Sequence, residues 1–230
     1  MQGVSLTEKL DKIRQEIYNS AVKAGRKAAD IKIVAVTKNV TVERIAEAVR
    51  GGVYDLGENR VQELLSKQPH LGPGVRWHLI GHLQTNKVRA VVGKTVLIHS
   101  LDSWRLAVEL DGRSTERGIV TDVLVQVNVS GEDTKYGLSV RETADFIKEV
   151  SGLSGISVRG LMTIAPQVSD PEQVRPVFRE LRSLYDNIKS REIPRVSMDF
   201  ISMGMTNDYR VAVEEGANIL RIGTGIFGER

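Results

Sequence analysis

The sequence contains no cysteine. Disulfides, thiolate zinc sites, iron–sulfur clusters and cysteine nucleophiles are thereby excluded together. Histidine is scarce as well. His70, His78, His82 and His99 are the full set, and no pair stands at i, i+4 on a helix, the spacing zinc hydrolases favour. No metal site is expected. No apolar run approaches the ~18 residues of a membrane span, and aromatic residues make up only 5% of the chain. Charge of one sign is lacking too: 32 Lys and Arg stand against 29 Asp and Glu, a formal charge of +3. No block of five basic residues occurs, so a nucleic-acid stripe is not indicated, and the charges read as a solvated mixed surface. The opening Met1-Gln2-Gly3-Val4-Ser5-Leu6-Thr7-Glu8 has neither a basic segment nor an apolar one behind it. It is not a secretion signal, and a cytoplasmic location is expected.

What is present is 230 residues with 41% hydrophobic and 27% charged, the composition of a soluble chain with a sizeable core. Leu6, Leu10, Ile13, Ile17, Ala21 and Ala24 recur at three and four residues, which predicts an N-terminal helix. Ser5 or Thr7 caps its start, and Gly25 lies near its end. The period then changes. Ile31-Lys32-Ile33-Val34-Ala35-Val36 is short, β-branched and nearly continuous, which reads as a buried strand. A helix over 41–49 follows and ends at Gly51-Gly52.

That unit recurs. Further strands are expected over 53–56, 75–80, 95–99, 121–129, 156–161, 195–201 and 217–222. Helices are expected over 58–67, 84–91, 103–117, 141–151, 171–190 and 207–215. Eight strands alternating with helices imply a parallel sheet, and the count is that of a (β/α)8 TIM barrel. The rival is an open doubly wound sheet, which usually carries a glycine-rich turn after its first strand. Here that strand ends Thr37-Lys38-Asn39-Val40, without glycine, which favours the barrel. No low-complexity linker divides residues 1–230, so one domain is expected.

In such a barrel the chemistry lies at the C-terminal ends of the strands. Lys38 follows strand 1, Asn59 strand 2, His82 strand 3 and Met162 strand 6. Ser202, Met203 and Gly204 follow strand 7; Arg221 ends strand 8, just before Gly223 and Thr224. A lysine at the end of a buried strand has two readings. It snorkels to the rim, or desolvation favours its neutral form and makes it a nucleophile toward carbonyls. The glycines after strands 7 and 8 also have two readings, ordinary turns or a phosphate cradle of backbone amides. There Ser202 and Thr224 would add hydroxyl donors. An amine nucleophile beside a phosphate cradle suits a phosphorylated aldehyde, for which pyridoxal 5′-phosphate (PLP) is the candidate.

The residues also carry a resemblance. Ala35-Val36-Thr37-Lys38, Gly57-Glu58-Asn59-Arg60-Val61-Gln62-Glu63 and the run from Trp77 to Lys87 around Gly81-His82-Leu83-Gln84 are part of it. Gly160-Leu161-Met162-Thr163-Ile164, Ser202-Met203-Gly204-Met205-Thr206-Asn207-Asp208-Tyr209 and Arg221-Ile222-Gly223-Thr224 complete it. Over nearly its whole length the chain resembles the YggS/PROSC family of PLP homeostasis proteins. The resemblance implies a barrel like the N-terminal domain of alanine racemase, the fold-type III arrangement, with the extra N-terminal helix. It implies that Lys38 forms the internal aldimine with PLP. It further implies that Ser202, Gly223 and Thr224 with nearby amides hold the phosphate. Arg221 would face the pyridine nitrogen and Asn59 the 3-hydroxyl side, with His82 and Met162 as pocket walls. Lys135, after strand 5, is a candidate for cofactor handling. Glycine at position 225, where alanine is common, bears on turn flexibility rather than identity.

Whether such a site catalyses or carries is a separate question. An arginine at the pyridine nitrogen cannot take part in proton exchange there and leaves the ring a weaker electron sink. Strand 8 finishes near Ile222, so the chain is expected to lack the additional domain that gives alanine racemase its second acid–base group. A placed proton-transfer group contributes ~10²–10⁴-fold. The expected function is therefore a non-catalytic PLP carrier, monomeric, that passes the aldehyde to apo-enzymes. The alternatives are a PLP-dependent amino-acid racemase of low activity and, from another class, an aldolase using Lys38 on a sugar phosphate.

Overall fold

A computed structural model describes residues 4–132 and 135–229. Met1–Gly3 of the opening segment, Asp133 and Thr134 of the loop before Lys135, and Arg230 lie outside the described residues.

Eight parallel strands close on themselves in chain order: β1 (Lys32–Val36), β2 (Asp55–Glu58), β3 (Arg76–Leu79), β4 (Leu97–Leu101), β5 (Thr121–Gln126), β6 (Ile156–Met162), β7 (Val196–Ser202) and β8 (Ile219–Ile222). The barrel predicted by the alternating pattern is thus the one observed. Closure is made by β1 against β8, where Lys32 pairs with Ile219 and Ala35 with Ile222. Strand alternation then sorts the side chains. Val34, Ile80, Leu97, Leu124, Met162 and Ile219 form a small inner cluster, while neighbours such as Ala35, Ile98 and Val123 join the larger cluster beneath the helices.

The helices are α1 (Leu6–Lys23), α2 (Val42–Arg50), α3 (Val61–Lys67), α4 (Val88–Val91), α5 (Trp104–Glu116), α6 (Val140–Val150), α7 (Arg175–Lys189), α8 (Tyr209–Glu214) and α9 (Thr224–Phe227). The longer helices after β1 turn an apolar stripe inward. In α7 that stripe is Phe178, Leu181, Tyr185 and Ile188. Ser5 does cap α1, in a capping box with Glu8. This extra helix buries Leu10, Ile13 and Ile17 and packs on α8 and α9, so it braces the elements that carry the end of the chain.

Several boundaries differ from the sequence reading, and three of them have a plain local reason. The helix expected from residue 58 begins at Val61, because Glu58 still pairs with Leu79 across β2 and β3. The strand expected to reach 129 stops at Gln126; Asn128 Oδ1 accepts from Gly131 N at 3.1 Å and Ser130 Oγ at 3.3 Å, which turns the chain. The helix expected from 207 begins at Tyr209, because the Asp208 carboxylate accepts from the Met205 amide at 2.5 Å and holds a turn there.

Leu10 is fully buried under the brace. Leu10→Ala is expected to cost about 2–5 kcal/mol, read as a lowered midpoint in urea denaturation followed by circular dichroism.

Candidate cofactor site

A cavity of 620 Å³ opens at the C-terminal ends of the strands. Lys38 from the loop after β1, Asn59 after β2, Gly81 and His82 after β3, Ile164 after β6, Met205 to Asp208 after β7, and Arg221, Gly223 and Thr224 at the end of β8 all line it. Such a volume suits a small-molecule ligand.

Lys38 is half-buried, and the residues on either side of it are pinned. Thr37 is buried, donates its hydroxyl to Glu58 Oε1 at 2.6 Å, and its carbonyl accepts from Lys67 Nζ at 2.8 Å. Asn39 takes a left-handed φ of 56°, which asparagine tolerates, and donates its amide to Glu63 Oε2 at 3.0 Å. Lys67 Nζ ties the two carboxylates together, 2.7 Å from Glu58 and 3.0 Å from Glu63. Burial pushes the Glu58 carboxyl upward, and the bonds from Lys67 and Thr37 oppose it. Asn59 is set by a close crossing. A Cβ on Gly81 would lie 2.7 Å from the Asn59 Cα, so glycine is required where the two loops meet.

Arg221 is only 4% exposed. Its Nη1 donates to Ser202 Oγ at 2.6 Å and its Nη2 to the Thr163 carbonyl at 2.8 Å. Burial lowers its pKa to about 10, with the Asp208 charge acting the other way. Behind it runs a line of buried groups. Ser202 Oγ lies 3.0 Å from His99 Nδ1, His99 Nε2 lies 3.0 Å from His78 Nδ1, and His78 Nε2 lies 3.0 Å from Asp55 Oδ1. Asp55 is gripped by Arg76 through Nε at 2.8 Å and Nη2 at 2.5 Å. Burial alone would raise the Asp55 carboxyl; the hydrogen bonds from Arg76 and His78, with the Arg76 charge, outweigh it and hold the group below the usual carboxylate range. Burial, then His78 and Arg221, keep His99 well below an ordinary imidazole.

At the rim of the cavity, Thr206 Oγ1 accepts from the Gly225 amide at 3.1 Å and lies 3.1 Å from Thr224 Oγ1. His82 Nδ1 lies 3.1 Å from Asp102 Oδ2, and the exposed Tyr136 ring stacks on the imidazole at 3.9 Å and 13°. Lys135 Nζ pairs with Glu132 Oε1 at 2.6 Å, beside Tyr136 in a side cavity of 140 Å³.

Of the residues singled out from sequence, Lys38, Asn59, His82, Arg221, Gly223 and Thr224 meet at the cavity. Ser202, Met162, Met203 and Gly204 do not line it. Ser202 is buried behind Arg221, Met162 belongs to the inner cluster, Met203 is buried in the outer core, and Gly204 is packed against Ala212 and Leu220. The sequence reading passed over Thr206, whose only signal was a hydroxyl two residues beyond Gly204. It also missed the His99–His78–Asp55 line, because partners on different strands leave no spacing to read. Among the described residues no cluster of three or more His, Asp and Glu suits a metal ion.

Two stability outcomes follow. Lys67→Met leaves the buried Glu58 carboxylate without its counter-ion and is expected to cost about 3–5 kcal/mol, measured by urea denaturation. For Asp55 the folded pKa is depressed. Its stabilisation is complete above the pKa of an unfolded aspartate, about 3.9, and declines as the pH falls toward the folded value. The stability gap between wild type and Asp55→Asn is therefore expected to be level from pH 7 to about 5 and to narrow below about 4, followed by chemical denaturation at each pH.

The comparisons with known proteins agree with this fold. The model of the alanine racemase N-terminal domain matches residues 9–230. A pyridoxal phosphate homeostasis protein of Aquifex aeolicus is 45% identical over 224 residues, 97% of each chain. Its counterpart in Escherichia coli K12 is 34% identical over 98% of this chain and 97% of its own. PipY of Synechococcus elongatus, solved with PLP bound, superposes with a TM-score of 0.84 at 32% identity, covering 97% of this chain and 100% of that one. An alanine racemase of Clostridium difficile shares the fold at a TM-score of 0.76 and 17% identity, covering 98% of this chain and 56% of that one. The chain belongs to the alanine racemase N-terminal domain family and, within it, to the YggS/PROSC family of pyridoxal phosphate homeostasis proteins.

Proposed function

We propose that the protein binds PLP in the strand-end cavity, through Lys38, and serves PLP homeostasis by holding the cofactor and giving it up to other amines. The observation that carries this is the convergence of Lys38, Arg221 and the Thr206–Thr224 pair on one cavity. Relatives named for PLP homeostasis, and a neighbour solved with PLP bound, support it.

The residues suit each part of the ligand. When bound, PLP supplies an aldehyde that condenses reversibly with a primary amine, releasing water. Lys38 offers the amine, on a backbone held from both sides by the Glu58–Lys67–Glu63 cluster. Arg221 offers a donor with no lone pair, so an aromatic nitrogen facing it stays an unprotonated acceptor. The backbone of Gly223 and Thr224 with the hydroxyls of Thr206 and Thr224 would receive the phosphate. Ser202 contributes through Arg221, because its own hydroxyl is taken up by Arg221 and His99. Asn59 and His82 would flank the ring.

Giving up the cofactor requires a second amine to reach Lys38. His82 is partly exposed at the mouth and Tyr136, stacked on it, is 59% exposed, so this wall borders solvent. The Lys135 amine stands beside Tyr136.

Added PLP is expected to give wild type a visible absorbance band that borohydride converts to a covalent adduct. Lys38→Ala is expected to give neither. A wild type without the band, with PLP in excess, would refute the proposal.

A further inference from the structure

The line of buried groups behind Arg221 crosses the barrel interior, from Asp55 and Arg76 at the starts of β2 and β3 to the cavity floor. Binding at the mouth alone gives no reason for it. Counting donors fixes its direction. Arg221 Nη1 can only donate, so Ser202 Oγ accepts there. Among the described residues the Ser202 hydroxyl hydrogen has one acceptor, His99 Nδ1. His99 therefore carries its proton on Nε2 and gives it to His78 Nδ1. His78 in turn carries its proton on Nε2 and gives it to Asp55 Oδ1. An ionised Asp55, held by Arg76, only accepts. The opposite order would leave the fully buried Ser202 hydroxyl hydrogen with no acceptor, and an unmade bond to a buried group is costly.

We propose that Asp55, His78, His99 and Ser202 form a one-way hydrogen-bond relay that positions the Arg221 guanidinium toward the cofactor. The inference rests on the PLP reading above. Every bond points down the line toward Asp55, so each polarises the next and makes Ser202 Oγ a stronger acceptor. Nη1 is then held by the relay and Nη2 by the Thr163 carbonyl, which fixes two of the three guanidinium nitrogens. The plane of Arg221 is set before any ligand arrives. The two histidines are positioning residues: they act through Ser202 and Arg221.

Two measurements test this. In uniformly 15N-labelled apo protein at pH 7, long-range ring correlations are expected to show His78 and His99 both as neutral Nε2–H tautomers. A proton on Nδ1 of either would overturn the relay. The second measurement is PLP affinity and the position of the visible band in Ser202→Ala, His99→Leu and His99→Gln. Ser202→Ala removes one oxygen and leaves the packing, so it keeps the test alive if His99→Leu does not fold. Ser202→Ala and His99→Leu are each expected to weaken PLP binding at least about fivefold and to displace the band. His99→Gln keeps one donor and one acceptor and is expected to restore much of both. Folded Ser202→Ala with wild-type affinity and an unmoved band would overturn the positioning role. Wild type that takes up no PLP overturns the function proposed above and this role with it, while the apo tautomers judge the relay separately.

Discussion

The pairing of β1 with β8 is the constraint on which the site depends. Lys38 and Arg221 lie near opposite ends of the chain, and only the closing register, Lys32 with Ile219 through Ala35 with Ile222, brings them to one rim. Val34 is paired with Arg221 in that register, so Lys38 emerges a short way above it, just past the end of the neighbouring strand. Closure also removes the two sheet edges that an open arrangement would expose. The N-terminal helix then packs against α8 and α9, and so supports the turn bearing Thr224 from outside.

The protein tolerates buried ionic groups because each has a partner. Arg221 is desolvated but donates to Ser202 and Thr163. Asp55 is met by Arg76 and His78, and Glu58 by Lys67 and Thr37. Exchanging such groups for apolar ones often leaves stability unchanged, whereas removing one partner is expensive. Their presence is better explained by placement than by stability. One cluster holds the backbone on both sides of Lys38 and the other holds Arg221, and these are the two groups that address the ligand from different strands. Glu58 Oε2, buried and without a hydrogen-bond partner among the described residues, marks where this arrangement costs something.

Much of the fold and part of the site were legible in the residues. The eightfold alternation of β-branched runs with amphipathic stretches determines a parallel barrel, because strands buried on both faces cannot alternate with polar residues and helices must. The strand-end rule selects ten residues, of which Lys38, Asn59, His82, Arg221, Gly223 and Thr224 line the cavity while Met162, Ser202, Met203 and Gly204 do not. Ser202 shows where that rule stops. It ends β7 as the rule requires, yet its hydroxyl turns into the barrel toward His99 and Arg221, while Thr206 reaches the rim. The direction of a side chain at the last strand residue depends on pleat and twist, which short-range pattern does not specify. The same holds for the line from His99 to Asp55 and for the grip of Lys67 on Thr37. These links join residues 21 to 30 positions apart, and the one from His99 on β4 to Ser202 on β7 spans 103 and exists only once the barrel has closed. Sequence by itself determined the periodicity, and with it the fold and the loops that carry the chemistry. Tertiary structure decided which polar atoms face one another, because hydrogen bonding depends on distance and direction in space rather than on separation along the chain.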